Sequence, residues 1–122
     1  MIIPLLVAVL GGVGAGLRHV VDLWVSGRFP SFPVGTCVIN ISGSLALGFV
    51  AGWGAQHLPE AVRVGLGVGL CGGFTTFSTA SVETVRLLRT RSRAAAALHL
   101  SVMVIVSLAG AALGLLLGRL AG

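Results

Sequence analysis

Residues 94–118 read AAAALHLSVMVIVSLAGAALGLLLG, which is 25 residues without an Asp, Glu, Lys or Arg. A helix of about 20 apolar residues crosses the hydrocarbon core of a bilayer, so this stretch predicts a transmembrane helix. Residues 1–17, 29–59 and 64–82 also lack these four residue types. We therefore predict an all-α membrane protein with a single domain over residues 1–122. Its four transmembrane helices are expected near residues 3–25, 33–55, 61–88 and 94–119.

The composition excludes the soluble classes of protein. Of the 122 residues, 56% are hydrophobic and 9% are charged, whereas an ordinary soluble domain is about one quarter charged. The formal net charge is +5, but no polar domain carries a basic face, so we expect no nucleic-acid partner. The sequence shows no catalytic set of a nucleophile, a general base and a group that orients the base. We therefore expect neither an enzyme nor an organic cofactor.

The arginines are distributed unevenly along the chain. Five of the eight lie in or beside the predicted first and third loops: Arg28, Arg86, Arg89, Arg91 and Arg93. Arg63 and Arg119 lie at the opposite ends of the helices. By the positive-inside rule, the first and third loops are cytoplasmic and both termini point outward.

Many of the 19 glycines recur every four residues, at 12/16, 48/52, 65/69/73 and 110/114/118. Small residues at this spacing let transmembrane helices approach closely. The pattern leaves two interpretations open. The glycines pack helices within one chain, or they form the contact face of a homodimer or heterodimer.

The third predicted helix contains GGFTTFSTAS at residues 72–81, with five hydroxyl side chains in seven residues. Adjacent glycines and hydroxyls that compete for backbone groups favour a break near the middle of this helix. Carbonyl oxygens freed inside a membrane must face protein, water or an ion, and they suit a hard cation such as Na⁺. The alternative is an unbroken helix whose hydroxyls bond back to the preceding turn.

Other costly polar groups mark functional candidates in the membrane. Asn40 is central in the second helix, where its amide can donate to an anion or form an interhelical hydrogen bond. Glu83 is a candidate proton carrier, an ion ligand or a partner of Arg86. Arg18 either pairs with Asp22 or draws anions into a vestibule.

Together these residues resemble the Fluc (CrcB-type) fluoride channel family over nearly the whole chain. The first match is GGVGAGLR at residues 11–18, and the second is GTCVINISGS at residues 35–44 followed by Gly48. The most specific match is GGFTTFST at residues 72–79 followed by Glu83.

The resemblance implies a channel that exports fluoride passively across the cell inner or plasma membrane. It implies an antiparallel dimer of four-helix subunits, with two pores and a structural Na⁺ at the dimer centre. The Na⁺ would be held by the backbone carbonyls of Gly72 and Thr75, and Arg18 would lie in a vestibule. The fluoride pathway would comprise Asn40, Thr76, Phe77, Ser78, Thr79, Glu83 and Ser107.

One position departs from the family pattern. The family usually has a second phenylalanine three residues after Phe77, where this chain has Ala80. A dual-topology homodimer should also show little arginine bias. Both features favour a heterodimer in which an oppositely oriented paralogue supplies the missing ring.

Two other functions fit a chain of this size. The first is a proton-coupled exporter like the small multidrug transporters, but the first helix has no carboxylate before Arg18 and the chain has no tyrosine. The second is a subunit that conducts no ions or forms only one pore of a heterodimer. A pure assembly subunit would leave the hydroxyl run and Asn40 unexplained.

Overall fold

A computed structural model describes residues 1–122, and it is all-helical with no strand. The elements are α1 (Ile2–Ser26), α2 (Val34–His57), α3 (Glu60–Val64), a π-helix (Gly65–Cys71), α4 (Gly72–Phe74), α5 (Ser78–Thr90) and α6 (Arg93–Ala121). The all-α prediction is therefore confirmed. So is the break in the third predicted helix, which falls at residues 75–77, between α4 and α5.

The molecule has an apolar exterior and a small interior. Helices α1, α2 and α6 are each long and apolar enough to cross a membrane. Only 23 of the 122 residues are buried, and large apolar side chains such as Ile105 and Leu108 are about two thirds exposed. Such a surface requires lipid or another apolar partner around it. The chain is therefore a multi-pass membrane protein.

Glycines set the contact between α2 and α6. A Cβ atom at Gly48 would meet the Ala111 carbonyl, and one at Gly114 would meet the Leu45 carbonyl. Close backbone approach is the use that membrane helices make of small residues. The interpretation of packing within one chain therefore accounts for the glycines at 48/52 and 110/114/118. By contrast, a Cβ atom at Gly12 or Gly16 would meet nothing within 4 Å.

Helix α1 approaches the broken helix just before its break. A Cβ atom at Gly14 would lie 2.9 Å from the Phe74 backbone nitrogen, and one at Gly73 would meet the Gly11 carbonyl. Glycines at residues 14 and 73 therefore let the backbones of α1 and α4 come into contact. This contact fixes where the break lies relative to Arg18, one turn further along α1.

The first and third loops lie at the same end of the molecule. Arg91 Nη2 donates to the Ser31 carbonyl at 3.0 Å, which joins the two loops. Ser92 caps α6 by accepting a hydrogen bond from the Ala95 N–H at 3.0 Å. We call this the arginine-rich end, defined by Arg28, Arg86, Arg89, Arg91 and Arg93.

Candidate functional site

The break is held by the side chain of Asn40. Thr75 leaves the helix with extended dihedral angles, φ −75° and ψ 157°. The Thr76 N–H donates to Asn40 Oδ1, and Asn40 Nδ2 donates to the Thr76 carbonyl, each at 2.8 Å. Both residues are 7% exposed. One amide thus pairs the N–H and the carbonyl of Thr76, two of the backbone groups that the break removes from helical hydrogen bonding, as a membrane interior requires.

The interhelical hydrogen bond was one of the two roles open to Asn40, and it is present. Asn40 Nδ2 also lies 3.4 Å from Met103 Sδ. Because a thioether is a weak acceptor, a stronger acceptor can replace Met103 Sδ at this second N–H of the amide. Donation to an anion stays a prediction.

The hydroxyl side chains of residues 75–81 form two kinds of hydrogen bond, and each kind fits one of the two interpretations of this segment. The Thr76 hydroxyl donates to Thr79 Oγ1 at 3.1 Å, accepts from the Thr79 N–H at 3.2 Å and lies 3.3 Å from Ser78 Oγ. Acceptance from the N–H three residues on is the pattern that caps a helix start. Thr75 and Ser81 instead bond back to carbonyls of the preceding turn.

Four predicted pathway residues line one groove. This groove has a volume of about 320 Å³. Its lining includes Asn40, Thr76, Phe77, Ser107, Ala80, Ser44 and Met103. Phe77 is 79% exposed, whereas Ala80 is 2% exposed. The Phe77 ring therefore stands on the outer surface of the chain, where lipid or a second chain must cover it.

The sequence prediction did not include two of these lining residues. Ser44 was quoted only as part of a motif, although it follows Asn40 by one helical turn. Met103 precedes Ser107 by one turn on α6. Residues four apart on a helix share a face, and this spacing was the available signal for both.

Arg18 lies in a separate cavity of about 190 Å³. Its lining includes Arg18, His19, Asp22, Thr36, Thr76 and Thr79. Arg18 Nη1 donates to the Thr75 carbonyl at 3.3 Å, and Asp22 accepts from Ser26 Oγ at 3.2 Å. The alternative in which Arg18 pairs with Asp22 is therefore wrong, because Arg18 reaches across to the break instead. Thr76 borders both this cavity and the groove.

Glu83 lies further along α5, away from the groove. Its Oε1 accepts from Thr36 Oγ1 at 2.7 Å, and its Oε2 lies 3.5 Å from His99 Nε2. No arginine nitrogen lies within 4 Å of the carboxylate, so the alternative of pairing with Arg86 is wrong. Glu83 also lines a cavity of about 400 Å³ at the arginine-rich end. Sequence reasoning missed Thr36 and His99 as its neighbours.

The two carbonyls predicted to bind a cation have free acceptor capacity. The Thr76 N–H, which would bond to the Gly72 carbonyl in a continuous helix, is used by Asn40. The Thr75 carbonyl accepts only the 3.3 Å contact from Arg18. These oxygens fit the donor chemistry of a hard cation, although two are fewer than such an ion needs.

Comparison with known proteins gives consistent matches over nearly the whole chain. Residues 5–115 match the family described as CrcB-like protein, Camphor Resistance (CrcB). A relative from Leifsonia xyli, named fluoride-specific ion channel FluC 1, is 48% identical over 98% of this chain and 89% of its own length. One from Cutibacterium acnes, named fluoride-specific ion channel FluC 2, is 45% identical over 92% and 94%. A Geobacillus kaustophilus relative, named fluoride-specific ion channel FluC 1, is 39% identical over 98% and 100%.

Proposed function

The chain belongs to the CrcB-like family, and on that premise we propose that it is a fluoride-specific ion channel and not an enzyme. Relatives that carry this name match nearly its whole length. The structural observation that carries the proposal is the break at residues 75–77, where an amide, a group of hydroxyls and an exposed phenylalanine meet.

The groups at the break suit a small, strongly hydrated anion. Fluoride that enters a narrow site loses water, so donors must replace that water. The Asn40 N–H that now meets Met103 Sδ is one donor, and the hydroxyls of Thr76, Ser78, Thr79 and Ser107 are others. The ring edge of Phe77 is electropositive and can also face an anion. A narrow pathway lined by these groups would exclude the larger chloride by size.

Arg18 and Glu83 belong to the approach to this pathway. The cavity that holds Arg18 borders Thr76 and Thr79, so a fixed positive charge lies next to the hydroxyl group cluster. Such a charge raises the local concentration of anions. We assign Arg18 to a vestibule and Glu83 to the cavity at the arginine-rich end.

A second chain completes the pathway. The groove around Phe77 is open along one side, and its phenylalanine is 79% exposed. In an antiparallel dimer, the partner covers this groove and faces the ring. The partner is a homodimer copy or, as Ala80 and the arginine bias favour, an oppositely oriented paralogue. Lipid surrounds the remaining apolar surface.

We also propose a structural Na⁺ at the dimer centre, as the family resemblance implies. The carbonyls of Gly72 and Thr75 would hold it, together with the same oxygens of the second chain. A bound cation would offset the charge of passing anions. Arg18 already donates to the Thr75 carbonyl, so this oxygen would be shared between the guanidinium and the ion.

The proposed arrangement adds one membrane crossing to the three helices that are long and apolar enough to span the bilayer. We propose that residues 60–90 form a fourth crossing despite the break. The arginine-rich end lies on the cytoplasmic side of the cell inner or plasma membrane, by the positive-inside rule. Fluoride then leaves the cell down its electrochemical gradient, without an energy source, and its toxicity in the cytoplasm falls.

The second candidate is a subunit that forms only one conducting pore of a heterodimer, or none. Ala80 favours it, because this position lies at the bottom of the groove and provides no ring. A proton-coupled multidrug exporter has no comparable support.

Efflux from liposomes tests the proposal directly. The purified chain is reconstituted alone, and fluoride and chloride release are followed with ion-selective electrodes. We expect rapid fluoride release and no chloride release above that of protein-free vesicles. Equal release of both anions contradicts fluoride specificity. Absence of fluoride release from the chain alone, restored by a co-expressed paralogue, identifies the heterodimer.

A further inference from the structure

His99 is a buried base without a hydrogen-bond partner. It lies in the second turn of α6, is 1% exposed, and neither ring nitrogen makes a hydrogen bond. The third buried side-chain atom without a partner is Glu83 Oε2, which lies 3.5 Å from His99 Nε2. Buried polar atoms in proteins are nearly always paired. An unpaired base thus faces an unpaired acid across a distance that a shared proton would shorten.

Glu83 lies between two cavities. It lines the cavity of about 400 Å³ at the arginine-rich end, while its partner Thr36 lines the cavity of about 190 Å³ that holds Arg18. The 2.7 Å hydrogen bond from Thr36 to Glu83 joins the lining of one cavity to that of the other. Phe32 covers His99 edge-on, with ring centroids 5.9 Å apart. An ion that moves between the cavities past Thr36 would meet the carboxylate.

A carboxylate at this place opposes an anion unless its charge is offset. Helices α2 and α5 pack against α6. The titratable or charged side chains that these two helices bring to this half of the molecule are Cys37, Glu83, Arg86 and Arg89, and Asp22 faces Glu83 from α1. Cys37 and Asp22 bring no positive charge, and no arginine nitrogen lies within 4 Å of Glu83. His99 is the basic group within reach.

We propose that His99 is a positioning residue of the fluoride pathway, which shares a proton with Glu83 and so sets the charge that fluoride meets between the two cavities. The proposal rests on the channel function above. With Glu83 ionised and His99 neutral, the pair carries one negative charge. One added proton, placed between Nε2 and Oε2, makes the pair neutral overall. The hydrogen bond it forms is of the strong, charge-assisted kind.

The consequence is a conductance that depends on pH. As the pH falls, the pair gains a proton, loses its net negative charge and opposes fluoride less. One unit charge at about 4 Å in water corresponds to about a fivefold change in rate. Fluoride conductance should therefore rise about fivefold on acidification.

Single-channel current in planar bilayers tests this inference, because uncharged HF carries no current. Wild type, His99→Gln and Glu83→Gln are compared with equal fluoride concentration and pH on both sides, from about pH 8 to about pH 5.5. We expect the wild-type current to rise about fivefold, and the His99→Gln current to stay low and nearly constant over this range. The Glu83→Gln current should be independent of pH, because the neutral amide leaves His99 no charge to offset.

His57→Gln is the matched control. His57 is exposed, and its Nδ1 bonds to the Trp53 carbonyl of its own helix, so its loss should leave the wild-type pH profile unchanged. A wild-type fluoride current that does not change with pH overturns the inference. This outcome does not depend on the folding of any variant. A Glu83→Gln profile as steep as that of wild type also overturns it. Absence of fluoride current at every pH, both from the chain alone and with a co-expressed paralogue, instead contradicts the channel function itself.

Discussion

At the scale of single residues, Phe77 is the side chain whose position depends most on what lies outside the chain. It is 79% exposed beside Asn40 and Thr76. We predict that Phe77→Ile lowers fluoride efflux about two- to tenfold, the range expected from the loss of one aromatic contact. Assembly, measured by size-exclusion chromatography in detergent, should be unchanged.

Phe49→Ile is the control for this substitution. Phe49 lies on α2 outside the groove and stacks on Trp53 with ring centroids 6.2 Å apart. The Phe49→Ile substitution removes a ring of the same size, and we expect it to leave fluoride efflux unchanged. A Phe77→Ile channel that conducts as well as wild type would show that the ring edge plays no part.

Asn40 should matter for stability as well as for conduction. Asn40→Ala leaves the N–H and the carbonyl of Thr76 without partners in a buried site. Each unsatisfied buried group costs about 1–3 kcal/mol. We expect the free energy of unfolding, measured by SDS titration in mixed micelles, to fall accordingly.

Ser42→Ala provides the comparison on the same helix. The Ser42 hydroxyl is exposed and bonds only to carbonyls of its own helix, so its removal should change stability by less than about 0.5 kcal/mol. If the two substitutions destabilise the protein equally, the amide is not what holds the break.

At the scale of helices, glycine fixes the contact between α2 and α6. A Cβ atom at Gly114 would meet the Leu45 carbonyl and lie 2.9 Å from the Phe49 nitrogen. Gly114→Ala must therefore push two backbones apart, and such overpacking typically costs about 1–3 kcal/mol. The free energy of unfolding in mixed micelles should fall by this amount.

Gly12→Ala is the opposite case, because a Cβ atom there meets nothing within 4 Å. Alanine is the better helix former by up to about 1 kcal/mol, so an isolated chain should be slightly stabilised. Destabilisation of the assembled protein by Gly12→Ala would place a second chain, or another close partner, against this face of α1.

The sequence predicted the helices better than it predicted the side-chain contacts. Charge-free runs and the glycine pair at residues 72–73 are local signals, so the three long apolar helices and the break could be predicted. The partners of Arg18 and Asn40 lie 57 and 36 residues away in the chain. Which of these side chains meet depends on how the helices are rotated against each other, and no local pattern determines this.

His99 shows the same limit more clearly. Its sequence context is an apolar helix with no nearby ligand spacing, and the prediction gave it no role. Its proximity to Glu83 arises because α5 and α6 pack together in one register. Only the folded structure brings this base to that acid.

At the scale of the whole molecule, the charge asymmetry predicts one orientation. All five arginines of the arginine-rich end lie in or next to two loops joined by the Arg91–Ser31 hydrogen bond. We expect tags on both termini to be accessible from the outside in most copies, as the positive-inside rule requires. Protease protection in spheroplasts and inverted vesicles measures this.

Removal of arginines from this end should change the orientation of the protein in the membrane. A variant with Arg89, Arg91 and Arg93 changed to Gln loses most of its bias, and we expect both orientations in comparable amounts. Equal populations of both orientations in the wild type would contradict the heterodimer and favour dual-topology homodimers.

The hydrogen bonds between Asn40 and Thr76 also have a consequence for the synthesis of the protein. Asn40 precedes Thr76 by 36 residues, so during synthesis it enters the membrane first. When residues 75–77 leave the ribosome, the group that pairs their exposed backbone is already in place. A segment that would be too costly to insert alone thus enters a membrane that already contains its partner, and the order of the helices along the gene is part of what makes the break possible.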